Sequence, residues 1–209
     1  SSKYTRRNQA EFVKIADFKE GIERIRNGEL DLLAPATMTD ARKEEFAFSE
    51  LHFGMEHTIL VTMPDREDLF YQDYENYNGL KIGVINDYPM TDFFIEKMTL
   101  HGTDAELVYF ENLQECEAEL QNGSIDAMVA SILRYKEEYK LLDSFSPQPI
   151  YFLTHKDNTA LLSELNKAMA QIQETYPTML DELLYMYYPI YEQHFLTREE
   201  IEYIEQEKV

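Results

Sequence analysis

The chain writes one phrase twice. Residues 18–35 read FKEGIERIRNGELDLLAP and residues 113–130 read LQECEAELQNGSIDAMVA. Each predicts an amphipathic helix, a stop at Asn-Gly, and a buried strand that opens with Asp. Phe18, Gly21, Ile25, Asn27, Gly28 and Asp31 align without a gap on Leu113, Cys116, Leu120, Asn122, Gly123 and Asp126. Gly28 and Gly123 fall where a helix end requires a left-handed residue. The apolar run that follows suits a strand in a sheet core. A helix–strand unit repeated at this distance predicts two α/β lobes of related build. Two such lobes in one chain face each other across a cleft, and clefts are where small ligands bind.

The 209 residues allow one large domain or two small lobes. The 44% hydrophobic content suffices for a core. With 40 acidic and 19 basic residues the formal charge is −21, a field that repels nucleic acid and anionic lipid headgroups. It does not exclude an anionic ligand, because an arginine in a dry cleft outweighs distant, screened carboxylates. The single cysteine, Cys116, lies on the apolar side of its predicted helix and reads as a small buried hydrophobe. No stretch approaches the ~18 apolar residues of a membrane span. The opening Ser-Ser, with no signal peptide, suggests a piece of a longer protein.

Along the chain, SSKYTRRNQ reads as a helix end or a frayed terminus, EFVKI (11–15) as a strand, and Asp17 as the cap of a helix to Asn27. DLLAPA (31–36) is a strand, followed by a short helix from Asp40 to about Phe46 and an extended run HTILVTMP (57–64). A Tyr-rich polar connector leads to KIGVI (81–85), a helix Pro89–His101 with Phe93, Phe94, Met98 and Leu100 inward, and ELVYF (106–110). After the second repeat, ILRYKEEYKLL reads as a helix and PIYFLTH (149–155) as an extended return. The tail is helical over 158–175 and 177–188 and from Thr197 onward, where Thr197-Arg198-Glu199-Glu200 forms a capping box. Alternating strands and helices argue for a parallel or mixed sheet. The two extended runs bracket the second βα set and predict a two-strand hinge.

Strand C-terminal ends and helix N-termini line the crevice of such a sheet. In Thr37-Met38-Thr39-Asp40-Ala41-Arg42, Thr39 suits an N-cap, which puts Arg42 at the third helical position. A cation there opposes the helix dipole by roughly 0.3–1 kcal/mol. Arg42 is either a fork for a ligand carboxylate or a surface arginine paired with Glu45 or Glu50. In Asn86-Asp87-Tyr88-Pro89-Met90-Thr91, Pro89 suits the first helical position, and the amides of Met90 and Thr91 would form an anion nest or simply start a helix. Ser131 ends the second repeat strand, opposite Thr37 by pseudo-symmetry. Phe12, Phe53, Tyr71, Tyr74 and Tyr77 supply aromatic surface for stacking or for the core. The five histidines form no metal-ligand spacing, and no nucleophile or nucleotide motif is present.

RNGELDLLAPATMTDARKEEFAFSE resembles the first-lobe signature of type 2 periplasmic solute-binding proteins, the amino-acid-binding kind. KIGVI with its helix and QNGSIDAMVA resemble the second lobe. SPQPIYFLTHKDN and LLSELNKAMAQIQE resemble the return strand and closing helices. The ending LTREEIEYIEQEKV is most similar to the variant fused to bacterial sensor histidine kinases and diguanylate cyclases. The resemblance implies an α/β two-lobe, Venus-flytrap fold: 1–62 as the first part of lobe I, 63–151 as lobe II, and 152–209 as the return and closing helices. It also implies an N-terminally incomplete lobe I, since the family's opening strand and helix have no counterpart before SSKYTRRNQ. The implied function is an extracytoplasmic sensor domain that binds a small carboxylate or amino-acid-like ligand and signals by closure, with no catalysis and no cofactor or metal. The alternative is the receptor of an ABC-type amino-acid transporter; an enzyme on the same fold is a third reading. Implied partners are the ligand, the membrane through flanking segments of the parent chain, and a second copy in a homodimer. The implied site is Thr37, Thr39, Arg42, Tyr88, Thr91 and Ser131, with Arg42 on the ligand carboxylate. In the family an acid for the ligand's amino group stands where this chain has Ser131.

Overall fold

In the computed structural model, residues 10–188 and 195–207 are described. The two copies of the repeated phrase fold alike. Helix α1 (Phe18–Arg26) is capped by Asp17, whose side chain accepts from the Glu20 amide. Its counterpart α4 (Leu113–Gln121) is capped by Asn112, which accepts from the Glu115 amide. Both end in a left-handed glycine, Gly28 at φ 71° and Gly123 at φ 80°. The next amides close the same pair of bonds in each: Gly28 to Ile25 and Glu29 to Arg24, Gly123 to Leu120 and Ser124 to Glu119. The buried residues also correspond, Gly21 and Ile25 in α1, Cys116 and Leu120 in α4. The strands that follow are β1 (Leu33–Thr37) and β6 (Ala127–Ser131).

The other elements are α2 (Asp40–Glu45), β2 (Phe46–Phe48), β3 (Gly54–Thr62), β4 (Lys81–Ile85), α3 (Pro89–His101), β5 (Glu106–Phe110), β7 (Lys140–His155), α5 (Thr159–Thr175), α6 (Met179–Tyr187) and α7 (Arg198–Glu207). The strands form one mixed sheet in the order β1-β7-β3-β6-β4-β5, with β2 also on β7. β4 pairs in parallel with β5 and β6, whereas β3 and β7 run antiparallel to their neighbours. Both faces of the β6-β4 region are covered. Met128 and Ala130 of β6 pack with Cys116 and Leu120 of α4, while Ala127 and Val129 pack with Met90, Phe94 and Met98 of α3. That is why all five residues of β6 are buried and its sequence is a continuous run rather than an alternation. A third cluster joins Ile25, Leu33, Ala36, Phe46 and Leu153 around α1 and β1.

Three sequence expectations are corrected. EFVKI is not in a strand. ILRYKEEYKLL is not a helix: only a 3₁₀ turn forms at Ile132–Arg134, and Lys140, Leu141 and Leu142 open β7. Pairing of β7 with β3 from Lys140 onward wins over a local pattern that fits a helix equally well. β7 is therefore 16 residues long, and the expected return at 149–155 is only its second half. In α3 Leu100 is 79% exposed. It lies six residues beyond Phe94 and so points off the face that Met90, Phe94 and Met98 share at a spacing of four. The expected features of residues 1–9 lie outside the described residues.

Candidate functional site

Two strand ends set the site. Thr37 ends β1 and pairs with Ile150 of β7, which pairs in turn with Gly54 of β3. Ser131 ends β6 and pairs with Thr58 of β3. Because β1 and β6 run in opposite directions across the sheet, their C-terminal ends converge on the first half of β3, Thr37 level with Gly54 and Ser131 with Thr58. Between Gly54 and Thr58 on β3 stands Glu56. Its carboxylate accepts from the Thr37 hydroxyl at 2.8 Å and from the Ser131 hydroxyl at 2.6 Å. Glu56 is only 8% exposed, so both bonds are made away from bulk water.

Arg42 stands at the third position of α2, whose N-cap Thr39 accepts from the Arg42 amide at 3.3 Å. The guanidinium donates through Nη1 to the Thr37 carbonyl at 2.8 Å and lies 4.5 Å from the Phe18 ring centroid. It pairs with neither Glu45 nor Glu50. Glu45 is bound by Arg26, and no ion pair among the described residues includes Arg42. Burial pushes the Arg42 guanidinium down from its ordinary value, while Glu56 and Tyr88 act in the opposite direction. Tyr88, just before α3, sits in the same field. Its hydroxyl is pushed well up, first by burial and then by Glu56, against the opposing pull of Arg134, the Ser131 backbone and Arg42. Asp87, at φ 52°, makes the sharp bend that delivers Tyr88 there.

Thr37, Arg42, Tyr88 and Ser131 are thus brought together around Glu56. Thr39 serves the same corner as a cap. Thr91 is turned inward: its hydroxyl donates to the Ile85 carbonyl at 2.8 Å and its amide to the Tyr88 carbonyl at 2.9 Å. One of the two amides expected in the anion nest is therefore already engaged. The expected aromatic contacts lie elsewhere. Tyr77 is core and donates to the Phe70 and Leu142 carbonyls, Tyr74 donates to Asp143, Tyr71 stacks on Phe195, Phe53 packs on Phe152, and Phe12 is exposed. Sequence reasoning missed Phe18 and Glu56. For Glu56 a signal existed: an acid sharing the strand face of Gly54, Thr58 and Leu60, in a strand otherwise written for burial.

Two surface grooves lie away from these residues. One, of about 550 Å³, lies between α4 and β5; the other, of about 410 Å³, lies beside α5 and Glu50. No group of three His, Cys, Asp or Glu among the described residues is placed to hold a metal ion. No helix among them is long and apolar enough to cross a membrane.

Residues 5–182 match the model of the bacterial extracellular solute-binding proteins, family 3. A probable histidine-binding protein of Neisseria gonorrhoeae is 26% identical over 162 residues, 72% of this chain and 59% of that protein. The ABC transporter glutamine-binding protein GlnH of Bacillus subtilis (strain 168) is 25% identical over 174 residues, 79% of this chain and 60% of that protein. The chain thus spans about three-fifths of the length of these curated relatives. Among solved structures, the periplasmic VFT2 domain of Bordetella pertussis BvgS superposes with a TM-score of 0.64 at 21% identity, over 81% of this chain and 74% of that one. The fold is that of the type 2 periplasmic binding proteins. The chain belongs to family 3 of the bacterial extracellular solute-binding proteins.

Proposed function

We propose that the chain is the ligand-binding domain of an extracytoplasmic membrane receptor, and that it takes a small carboxylate or amino-acid-like ligand at the crevice around Arg42. The carrying observation is Arg42 itself: a half-buried guanidinium seated on Phe18 and on the Thr37 carbonyl, with no carboxylate partner among the described residues. A desolvated cation that no carboxylate contacts directly is a poor structural element and a good anion receptor. The two named relatives, one histidine-binding and one glutamine-binding, support an amino-acid ligand. In this reading residues 1–62 and 152–209 form one jaw and residues 63–151 the other. β3 and β7 join the jaws, and Tyr88 and Ser131 close on a ligand held by Arg42, with Thr37, Thr39 and Thr91 shaping the crevice. Ligand shifts the jaws toward closure by its differential affinity for the closed form.

The sensor role rests on the resemblance of the C-terminal sequence to receptor-fused variants and on where α7 begins. Thr197 bridges Tyr71, and Arg198 pairs with Asp73, so the helix starts on the 63–151 jaw. The relative named as an ABC transporter's glutamine-binding protein supports the second reading, a transport receptor.

The test is a thermal-shift screen of amino acids and small carboxylates. A ligand at 100 times its Kd adds about 2.7 kcal/mol of stability. Arg42→Ala should abolish the shift while leaving the unliganded melting curve within ~1 kcal/mol of wild type. Unchanged calorimetric affinity in Arg42→Ala would remove the guanidinium from the site.

A further inference from the structure

Glu56 is a buried carboxylate whose two partners are both neutral. It accepts from the hydroxyls of Thr37 and Ser131, and no ion pair among the described residues includes it. Buried charges are ordinarily paired, because desolvation otherwise outweighs what hydroxyl donors return. Arg42 presents the complementary case. One residue stands between them: Thr37 accepts the guanidinium on its carbonyl and donates its hydroxyl to the carboxylate, each at 2.8 Å. The scaffold thus holds one positive and one negative group on either side of Thr37, near each other and not paired.

Such an arrangement fits a guest that carries both signs a short distance apart. We infer that Glu56 is the cation-recognising group of the crevice, so that the site selects zwitterions with a free amine over simple carboxylates. The inference rests on the reading of Arg42 as the carboxylate receptor. The two hydroxyls fix the rotamer of Glu56 and leave further lone pairs for an ammonium, since an ionised carboxylate offers about four acceptor sites. Thr37 comes from one jaw, Ser131 from the other, and Glu56 from a strand joining them. An ammonium bound at Glu56 would therefore sit where closure brings the jaws together.

The experiment is calorimetry of the twenty common L-amino acids, each paired with the acid that lacks its α-amino group, on wild type, Glu56→Gln and Glu56→Asp. Wild type should favour at least one amino acid over its amine-free counterpart by about 10–100-fold, the range for a charge-assisted hydrogen bond. Glu56→Gln should lose that preference while keeping its affinity for the amine-free acid, and Glu56→Asp should restore part of it. Equal loss of both ligands in Glu56→Gln, or no loss of either, overturns the inference. If Glu56→Gln does not fold, wild type decides alone: equal affinity for the amino acid and its amine-free counterpart overturns it. Failure of the Arg42 reading is distinguishable, because Arg42→Ala would then leave the amine-free acids bound as before. Wild type that binds none of the forty compounds overturns both.

Discussion

Ser131 shows how a neighbour changes the meaning of one position. In the family pattern an acid stands there, so Ser131→Asp reads from sequence as a gain for amino-acid ligands. The structure adds a cost in stability to that expectation. The Ser131 hydroxyl donates to Glu56 at 2.6 Å, and an aspartate would set a second carboxylate against the first in a site closed to water. Like charges in contact cannot both stay ionised at low cost, so the pair takes up a proton. Ser131→Asp should lose about 1–3 kcal/mol at pH 7, the cost of a buried polar group left without its partner. The sign follows from the shared proton: it is bound more tightly in the folded state than in the unfolded one. The deficit should therefore shrink as pH falls toward the ordinary carboxylate range and grow as pH rises. Urea unfolding at pH 5 and pH 8 measures it, and a variant as stable as wild type at both would mean that residue 131 turns away from Glu56. Arg42 was legible from the sequence because it breaks a local rule, a cation in the first turn of a helix. Glu56 was harder to find, since its partners lie 19 and 75 positions away.

At the scale of elements, each helix of the repeat approaches its sheet closely through one small residue, but the two copies place it on opposite sides. In the first copy the helix supplies it: a Cβ on Gly21 would stand 2.8 Å from Cδ1 of Leu33 in β1. In the second copy the aligned helix position is Cys116, and the strand gives way instead. A Cβ on Gly83 of β4 would overlap the Cys116 sulfur and stand 2.5 Å from Cδ1 of Ile125. Cys116 is fully buried, and burial pushes its thiol up to about 12, so it acts as a filler and not as a nucleophile. Gly83→Ala should therefore cost about 1–3 kcal/mol in urea unfolding, the range for an overpacked core. Adding Cys116→Ala should recover part of that loss, because the two sites share one contact. Simple additivity of the two changes would show that the helix had shifted as a whole. The caps, the left-handed glycines and the Pro89 start of α3 were readable from sequence because each is fixed by residues within four positions. The stretch 132–142 was not, because its state is decided by pairing with β3, about 80 residues earlier in the chain.

For the whole molecule, the consequential feature is that the tail touches both of the jaws proposed above. Helix α6 lies against the start of β3, where a Cβ on Gly54 would meet Leu184 at 3.1 Å. Beyond it, Phe195 and Arg198 lie on the segment around residues 70–73, in the other proposed jaw. Phe195 stacks on Tyr71 with ring centroids 5.6 Å apart, Arg198 pairs with Asp73 at 2.9 Å, and its guanidinium lies 4.5 Å from the Phe70 ring. From Glu202 onward every described residue of α7 is exposed, so the helix is held by its first turn alone. If the jaws rotate about β3 and β7, α7 travels with the 63–151 jaw while α6 stays behind, and the separation between the two helices reports closure. Arg198→Ala tests this coupling without touching the crevice. A half-exposed ion pair and a cation–π contact are each worth about 0.5–1 kcal/mol. Amides in the first turn of α7 should therefore exchange with solvent about 3–10-fold faster in the variant, with α3 and α4 unchanged and ligand affinity within about twofold of wild type. Unchanged exchange in α7 would mean that its hold comes from Tyr71 and Phe195 instead. A change in ligand affinity would place the tail inside the binding equilibrium rather than downstream of it, which is the distinction a receptor that signals by closure turns on.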